Sequence, residues 1–540
     1  MVHKAAALSA LLFASKALAL DPIIAKGSKF FYENGTQFFM KGIAYQEDPS
    51  GAGGENEDGK YIDPLSNETK CKRDVPILAK AGTNTIRVYA IDPSKDHDAC
   101  MKLLQDAGIY VIADLGEPST SINRDNPQWN LDLYKRYTAV IDSVAKYDNV
   151  IGYFAGNEVS NNGTNTGASA FVKAAVRDSK QYIKDKNYRW MGVGYAANDD
   201  AEIRINSAHY FNCGPQEEAI DFWGYNIYSW CGDSTLQKSG YDKQVDFFAN
   251  YSVPVFLAEY GCNTVGGAEG RLFQDTTELY SDTMSGVFSG GIVYMYHQEE
   301  NDYGLVKIGS DGKATTMKNY NVLASHVLAA TPSSTAMSSY SPTNEPAECP
   351  GISSVWQVNG DGLPPTPDSD LCDCMYSTLS CIPSSSLKPA NYGDIFGFIC
   401  GANPAACAGI NSNTTIGVYG AYSMCNDTVK LAYVMNEHYT EQNSAASACD
   451  FDGDGTVRTA PGAASACSDK LAAASSSNAV AATATAAAPN SGSGSGGSSN
   501  DDGSFGMMNR RLDTAFSFGD YAVGVYLLVA TAVGGAMVVL

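Results

Sequence analysis

Two glutamates stand where apolar segments of the sequence end. Glu158 follows Asn157 after segment 150–156, which is rich in β-branched and aromatic residues, and Glu259 lies at the end of the similar segment 255–260. In a barrel of parallel strands such segments are buried, and their carboxyl ends open into the active site. One carboxyl can then protonate a leaving glycosidic oxygen while a second attacks the anomeric carbon, at a separation of about 5–5.5 Å. The pair predicts retaining glycosidic chemistry, with Glu158 as acid/base and Glu259 as nucleophile.

A single glutamate at a strand end is more often a structural ion-pair partner than a catalyst. The combination of Asn157-Glu158 on a fourth strand with Glu259 on a seventh favours catalysis. The acid/base needs a raised pKa and the nucleophile must stay ionised, so we expect the two carboxyls to have different surroundings.

Aromatic side chains at the same strand ends indicate a sugar site. Flat rings stack on pyranose faces, and their hydroxyls can bond sugar oxygens or the nucleophile. Asp114 ends the third predicted strand, where it could orient a tyrosine or bind a sugar hydroxyl. The tyrosines that end or follow predicted strands are Tyr89, Tyr228, Tyr294 and Tyr303.

The elements that must position these residues alternate between strand and helix. Amphipathic stretches such as 131–147 and 168–182 separate most of the apolar runs, with apolar positions recurring at three and four. This alternation predicts an α/β fold, a (β/α)₈ barrel within 20–330. A doubly wound open sheet is the alternative, disfavoured because no Gly-rich loop follows the first strand. The predicted strands are 38–45, 85–89, 109–114, 150–158, 190–195, 222–228, 255–260 and 291–296.

The amino-terminal segment and the cysteines indicate secretion. Residues 1–19 have a short basic start, an apolar stretch and the small-x-small pattern Ala17-Leu18-Ala19, which is typical of a signal peptide. In an oxidising compartment the even number of cysteines, 14, favours disulfides over metal sites. Possible N-glycosylation sites are Asn34, Asn67, Asn162, Asn250, Asn413 and Asn426.

The composition changes after the barrel. Residues 331–371 begin with a Ser/Thr/Pro-rich stretch and are predicted to be a linker tied to the barrel, and 372–468 form a small disulfide-rich domain with eight cysteines. Residues 469–500 are rich in Ala, Ser and Gly, and we expect 473–499 to be a flexible stalk. Residues 501–540 end in an apolar tail and have the layout of a GPI-attachment signal, with Asn500 as the favoured attachment site. A plain transmembrane anchor is the alternative.

Charge and motifs exclude several classes of partner. The formal charge of −23 over 540 residues makes nucleic acid an unfavourable partner. The run Asp450-Phe451-Asp452-Gly453-Asp454-Gly455 imitates an EF-hand loop, but Pro461 occupies the twelfth position, where a bidentate glutamate is needed. We therefore expect neither a metal nor a cofactor.

Several segments resemble the fungal cell-wall β-1,3-glucanosyltransferases of glycoside hydrolase family 72, the Gas/Gel/Phr group. The likeness covers essentially the whole chain, and the eight-cysteine region is similar to the X8 module, carbohydrate-binding family 43. The segments that carry the likeness are CKRD at 71–74, NTIRVYAIDP at 84–93, GNEV at 156–159, AEYGC at 258–262 and NDYG at 301–304.

The resemblance implies a retaining transglycosylase that cleaves β-1,3-glucan internally and transfers the retained fragment to the non-reducing end of another β-1,3-glucan. Glu158 would be the acid/base and Glu259 the nucleophile, on the outer face of the plasma membrane or in the cell wall. The residues implied to line the sugar subsites are Gln46, Tyr89, Asp114, Asn157, Tyr228, Tyr294 and Tyr303. The implied disulfides are Cys71–Cys100, Cys213–Cys349 and Cys231–Cys262.

Three alternatives stay open at this point. A hydrolytic endo-β-glucanase would give only products shorter than its substrate. A catalytically silent wall-binding adhesin would not need Glu158 and Glu259. The cysteine-rich domain could also serve only as a brace for the barrel, without glucan affinity of its own.

Overall fold

A small antiparallel sheet at the start of the described chain closes one end of a barrel. The computed structural model describes residues 20–48 and 61–486. Strands β1 (Ile23–Lys26), β2 (Lys29–Tyr32) and β3 (Gln37–Phe38) pair in that order. The ring of Phe30 in β2 lies 6.1 Å from that of Phe222 and 6.2 Å from that of Phe256, at the amino ends of barrel strands. The carboxyl ends of the barrel strands therefore meet at the opposite, uncovered end.

Eight parallel strands form the closed barrel, in which each strand pairs with the next and the last pairs with the first. Most of their residues are buried, because helices cover the outside and side chains fill the inside. The predicted (β/α)₈ barrel is confirmed, and the open doubly wound sheet is excluded. The strands are β4 (Met40–Ala44), β5 (Thr85–Val88), β6 (Tyr110–Asp114), β7 (Val150–Asn157), β8 (Gly192–Asn198), β9 (Trp223–Asn226), β10 (Val255–Tyr260) and β11 (Phe288–Val293).

The single first strand predicted at 38–45 is wrong, because the chain changes sheet at Phe39. The side chain of Asn84 holds this break: its amide donates to the Phe39 carbonyl at 2.8 Å, and its oxygen accepts from the Lys41 amide at 2.7 Å. Residues before Phe39 belong to the capping sheet, and residues after it belong to the barrel.

Helices connect the barrel strands, and one hairpin and a last helix follow the final strand. Asn67 and Asn130 cap α1 and α3 by accepting the backbone N–H three residues on. The helical stretches predicted at 131–147 and 168–182 correspond to α3 and α4. The helices are α1 (Glu68–Lys80), α2 (Asp98–Asp106), α3 (Leu131–Val144), α4 (Ala168–Asp185), α5 (Arg204–Asn212), α6 (Tyr241–Phe248), α7 (Gly267–Gly270), α8 (Gln274–Leu279), α9 (Asp282–Ser285) and α10 (Lys318–Ala329), and the hairpin is β12 (Val306–Ile308) with β13 (Ala314–Thr316).

The segment 331–368 runs along the outside of the barrel and is attached to it at several points. Asn344 donates to the carbonyls of Ala249 and Tyr251. The Trp356 side chain is fully buried against Tyr210, with ring centroids 5.4 Å apart. The disulfide Cys213–Cys349 adds a covalent link. A stretch with the composition of a linker is therefore packed like part of the barrel domain.

A small helical domain follows and is held together by four disulfides. Leu431, Val434 and Met435 on its longest internal helix are fully buried among the half-cystines. Its elements are α11 (Ser369–Ser377), β14 (Cys381–Pro383), α12 (Tyr392–Ala402), β15 (Ser412–Asn413), β16 (Val418–Tyr419), α13 (Asp427–Glu441), β17 (Gly455–Val457) and α14 (Ser468–Ala486), and its disulfides are Cys372–Cys425, Cys374–Cys467, Cys381–Cys449 and Cys400–Cys407.

The prediction of a flexible stalk from residue 473 onward is wrong for 473–486, which belong to helix α14. Alanine has the highest helix propensity, so a sequence poor in large side chains can still form a helix when one face packs. Ala474 and Ala481 are each 3 % exposed, and the Asn478 side chain accepts a hydrogen bond from the Ala421 amide at 2.8 Å. Small side chains therefore do not prevent this helix from packing against the domain.

Several predictions lie outside the described residues. These are the signal peptide 1–19, the stalk beyond 486, the attachment site Asn500 and the tail 501–540. Within 20–48 and 61–486, no helix is both long and apolar enough to cross a membrane. Of the six glycosylation sequons, five asparagines are exposed, whereas Asn426, which caps α13, is half-buried.

Candidate active site

Glu259 lies at the open end of the barrel and accepts hydrogen bonds from three side chains. Its Oε1 accepts from Arg87 Nη1 at 3.2 Å and from the Tyr89 hydroxyl at 3.0 Å, and its Oε2 accepts from the Tyr228 hydroxyl at 2.8 Å. The residue is 9 % exposed. One full positive charge and two phenol donors stabilise the ionised form of this carboxyl.

Glu158 receives its hydrogen bond from a neutral group. Asn226 Nδ2 donates to Glu158 Oε1 at 2.7 Å and to Asn157 Oδ1 at 3.1 Å. The backbone of Glu158 is left-handed, with φ of 50°, a conformation that costs a non-glycine residue about 1 kcal/mol or more. Its amide donates to the Ala196 carbonyl at 2.7 Å, and its carbonyl accepts from Arg124 at 2.8 Å. The surrounding contacts therefore hold this turn.

Arg87 connects the two glutamate-bearing strands. Its guanidinium is fully buried and donates to both oxygens of Asp114, at 3.0 and 2.9 Å. The same group contacts Asn157 Oδ1 at 3.0 Å in addition to Glu259. Paired donation to Asp114 fixes the plane of the guanidinium, so that its remaining N–H groups point at Asn157 and Glu259.

Irregular strand pairing precedes both glutamates. The register between β7 and β8 shifts between Phe154 and Asn157, and that between β9 and β10 shifts between Leu257 and Glu259. An extra residue in one strand re-aims the side chains that follow it. These shifts occur immediately before the residues whose carboxyls must face the barrel opening.

Four tyrosine rings surround the Glu259 carboxyl. Tyr303 packs edge-to-face against Tyr228 and Tyr294, with centroids 5.7 and 5.4 Å apart, and Tyr294 packs in the same way against Tyr89 at 6.4 Å. We call Tyr89, Tyr228, Tyr294 and Tyr303 the aromatic wall. Burial raises the pKa values of Tyr89 and Tyr228, so both remain hydrogen-bond donors at neutral pH.

Gln46 stands beside the wall with its amide engaged by backbone. Its Nε2 donates to the Ile62 carbonyl at 2.7 Å, and its Oε1 accepts from the Tyr89 amide at 3.1 Å. These contacts position Tyr89 and the segment around Ile62.

The pKa of Glu259 is raised, with burial as the main cause. The Arg87 charge opposes the rise, Glu158 adds to it, and the Tyr228 and Tyr89 hydrogen bonds oppose it. The raised pKa thus belongs to the carboxyl that the sequence predicts to be the nucleophile. Of the two carboxyls, Arg87 contacts only Glu259, and its charge favours the ionised form of that group.

The structure brings the predicted catalytic and sugar-contacting residues to the barrel opening, and it adds two residues that had no assigned role. Arg87 is a charged residue within a buried strand. A charge in such a position is costly unless it is paired, so the sequence itself marks this residue for a special role. Asn226 ends β9 as Asn157 ends β7. It could therefore have been predicted, as Glu158 was, from its position at the end of an apolar strand. Asp114 directs both carboxylate oxygens at Arg87, so its observed contacts orient Arg87.

Disulfides connect loops that flank these residues. Cys231–Cys262 joins the chain three residues after Tyr228 to the chain three residues after Glu259. Cys71–Cys100 joins α1 to α2. With Cys213–Cys349, these are the pairs that the resemblance implies. No cysteine in the described part of the chain is free.

The chain is similar to characterised sequences across most of its length. A family model described as Glucanosyltransferase matches residues 12–331, and one described as X8 domain matches residues 379–456. A 1,3-beta-glucanosyltransferase of Arthroderma benhamiae is 54 % identical over 83 % of this chain and 85 % of its own length. The 1,3-beta-glucanosyltransferase gas1 of Schizosaccharomyces pombe is 43 % identical over 84 % of this chain and 82 % of its own length.

Solved structures of a yeast relative have the same fold. Saccharomyces cerevisiae Gas2p in complex with laminaripentaose aligns with a TM-score of 0.75 at 41 % identity, covering 83 % of this chain and 99 % of that one. A mutant of Gas2p with laminaritetraose and laminaripentaose aligns with a TM-score of 0.76 at 38 % identity, covering 85 % of this chain and 100 % of that one.

Proposed function

This chain belongs to the glucanosyltransferase family, glycoside hydrolase family 72, and from that premise we propose how its site acts on β-1,3-glucan. The protein is a retaining transglycosylase that cleaves a β-1,3-glucan internally and transfers the retained fragment to the non-reducing end of another. The observation that carries the assignment of roles is the difference in donors: Glu259 faces a guanidinium, and Glu158 faces an amide.

In the first half-reaction, Glu158 protonates the glycosidic oxygen of the donor glucan while a Glu259 oxygen attacks the anomeric carbon. The C–O bond breaks, the reducing-end fragment leaves, and the retained fragment forms an ester with Glu259. Arg87 and the two phenols hold the Glu259 carboxylate in place for the attack. Asn157 lies between Arg87 and Asn226, where its amide can face a sugar hydroxyl.

In the second half-reaction, Glu158 acts as the base. It takes the proton from the 3-hydroxyl at the non-reducing end of an acceptor glucan, and that oxygen attacks the anomeric carbon and displaces Glu259. Two inversions give net retention, and the new bond is again β-1,3. The aromatic wall, with Gln46 and Asp114 behind it, supplies the surfaces that hold sugar in place of water.

The test is to incubate the purified protein with a reduced β-1,3-gluco-oligosaccharide and follow product sizes by mass spectrometry. We expect products both shorter and longer than the substrate. Glu158→Gln and Glu259→Gln should each lose activity by about 10³-fold or more, because each removes a reacting group. Asn161→Gln, a change beyond Glu158 that leaves both carboxyls in place, is the control. Only shorter products would make the protein a hydrolase, and no products would favour a binding protein.

We further propose that the protein is extracellular and held at the plasma membrane by a GPI anchor at Asn500. Seven disulfides in the described chain support an oxidising compartment. The order of small residues, spacer and apolar tail supports the anchor. A phosphatidylinositol-specific phospholipase C should release the protein from membranes, and the released carboxyl-terminal peptide should end at Asn500. Retention of the protein on the membrane would favour a transmembrane anchor.

For the X8 domain we propose a binding role toward β-1,3-glucan in addition to its contact with the barrel. The domain docks on the barrel through a backbone bond from Leu131 to Met424 at 3.0 Å and one from Lys430 Nζ to Gln128 at 2.7 Å. Pull-down of residues 366–486 with insoluble β-1,3-glucan is the measurement. If the separated domain is folded and remains in solution, it is only a brace.

A further inference from the structure

Arg271 is a buried cation that the catalytic cycle does not use. It follows α7, is 3 % exposed, and forms no ion pair with any carboxylate in the described part of the chain. The buried Asp275 acts on its charge without an ion pair, and the Asp275 carboxyl accepts from the Thr276 amide at 2.8 Å. A buried guanidinium is costly unless its N–H groups are bonded, so its partners indicate what it holds.

Apart from the Ala268 carbonyl in α7, which accepts from Nε at 3.4 Å, those partners are backbone carbonyl oxygens from three segments around the active site. Nη1 donates to the carbonyls of Tyr294 at 2.6 Å and Gly261 at 3.5 Å. Nη2 donates to Tyr303 and, at 3.2 Å, to Gly304. The guanidinium also lies over the Phe273 ring at 4.8 Å. One side chain thus joins the end of the nucleophile strand to both chain segments that carry the outer tyrosines of the wall.

We propose that Arg271 is a positioning residue that sets the placement of Tyr294 and Tyr303, and thereby the balance between transfer to sugar and loss to water. This inference rests on the proposed function. The rings of these two tyrosines touch each other and reach Tyr89 and Tyr228, which hold Glu259. A shift of their backbone would therefore move the surface against which a sugar lies beside the nucleophile.

The guanidinium suits this task better than an ammonium would. Arginine presents five donors in a rigid planar fork, which can serve carbonyls on separate segments at once. Lysine keeps the charge but brings a single point of donation on a flexible stem. Arg271→Lys should therefore retain a buried cation and lose the simultaneous contact with Tyr294 and Tyr303.

Transfer to an acceptor sugar depends on the placement of Tyr294 and Tyr303 more strongly than cleavage of the donor glucan does. Water needs no positioning surface in order to reach the glycosyl-enzyme ester, whereas an acceptor sugar must be held with its hydroxyl in line. Displacement of two wall rings should weaken the hold on the acceptor. The direct hydrogen bonds to Glu259 come from Arg87, Tyr89 and Tyr228, so the first bond cleavage should suffer less.

The experiment compares Arg271→Lys and Arg271→Met with the matched control Lys173→Met. Lys173 is 2 % exposed and donates to the carbonyls of Tyr210 at 2.7 Å and Cys213 at 2.9 Å, so its loss also leaves buried carbonyls unpaired. The donor is a reduced β-1,3-gluco-oligosaccharide, and the acceptor concentration is varied. The readouts are the acceptor concentration at which transfer equals hydrolysis, and the rate of donor cleavage.

For Arg271→Lys we expect that acceptor concentration to rise roughly tenfold, with donor cleavage changing much less. Lys173→Met should leave the acceptor concentration at which transfer equals hydrolysis unchanged, even if it lowers the melting temperature as much as Arg271→Lys does. An unchanged balance in Arg271→Lys, or an equal shift in Lys173→Met, would overturn the inference. If the unmodified protein gives no elongated products, the proposed function fails first and this inference fails with it.

Discussion

The carboxyls of Glu158 and Glu259 have different surroundings because of a few single side chains. Arg87 brings a cation to Glu259 and none to Glu158, and two phenols add neutral donors to the same carboxylate. Burial raises the pKa of Glu259, and the Tyr228 hydrogen bond lowers it. As the proposed nucleophile, Glu259 must be ionised to attack, so the activity kcat/KM should fall as the pH drops through the pKa of this group. That acidic limb should lie above the pH expected for an ordinary glutamate, about 4.3.

Tyr228→Phe should move the acidic limb to higher pH. The substitution removes a donor that favours the ionised Glu259 carboxylate, so a higher pH is needed to ionise the group. At the optimum, kcat/KM should fall by roughly tenfold, the effect of losing one hydrogen bond to a charged group. The measurement is the pH dependence of kcat/KM for donor cleavage, from pH 3 to pH 8 in buffers of constant ionic strength.

The matched control for this prediction is Tyr303→Phe. The Tyr303 ring packs at 5.7 Å against Tyr228, but among the described contacts no hydrogen bond joins it to Glu259. Its acidic limb should coincide with that of the unmodified protein. If the limbs of the two variants move together, or if neither moves, Glu259 is not the group that sets the acidic limb.

For single residues, the sequence identifies the members of the site more reliably than it identifies the contacts between them. Both glutamates and the four tyrosines could be chosen because they end or follow apolar runs, a local pattern. Asp114 was expected to orient a tyrosine or bind sugar, yet it holds Arg87, because the identity of a partner depends on which strands are neighbours. The raised pKa of Glu259 depends on burial, which is a property of the folded chain.

Sequence patterns locate the barrel strands but not the irregularities within them. All eight barrel strands were located from apolar runs, because strands covered on both faces are apolar almost throughout. The register shifts before Asn157 and Glu259 leave no such mark in composition. They are the features that turn the two carboxyls toward the opening. The split between β3 and β4 was missed for the same reason, since one distant side chain, Asn84, sets it.

Helix α14 leads to a prediction about the stability of the X8 domain. A variant that ends at Lys470 loses the buried Ala474 and Ala481, and it loses the Asn478 side chain that accepts from Ala421. We expect this X8 domain to be destabilised by about 2 kcal/mol relative to a variant that ends at Ala486. The measurement is thermal unfolding of both variants by circular dichroism and calorimetry.

A substitution on the outer face of the same helix is the control. Val480 is 58 % exposed, so Val480→Ala should leave the melting temperature almost unchanged, whereas Asn478→Ala should lower it. Equal melting temperatures for the chains ending at Lys470 and Ala486 would mean that α14 contributes no stability to the X8 domain.

In the whole molecule, the barrel and the X8 domain are joined by more than one kind of contact. The segment 331–368 lies along the barrel, with Trp356 buried beside Tyr210. Arg177 on α4 donates to the Pro364 carbonyl at 2.9 Å, just before the X8 domain begins. These contacts predict that the two domains unfold together in a single cooperative transition.

Removal of Cys213–Cys349 should uncouple the domains. The disulfide spans 136 residues, and by the chain-entropy relation closure of so long a loop stabilises the folded state by roughly 5 kcal/mol. Cys213→Ala with Cys349→Ala should lower the barrel melting temperature and separate two calorimetric transitions. The control is Cys400→Ala with Cys407→Ala, because that disulfide spans only 7 residues and should contribute roughly 2 kcal/mol within the X8 domain.

The two double variants therefore differ in which transition they move. Loss of the long-range disulfide should act on the barrel, because the Trp356 segment that it anchors covers helices of that domain. Loss of the short-range disulfide should leave the barrel transition where it was. If both variants retain a single transition with equal losses, hydrogen bonds such as Arg177 to Pro364 couple the domains without help from the disulfide. In that case hydrogen bonds and packing are enough to hold the segment 331–368 to the barrel.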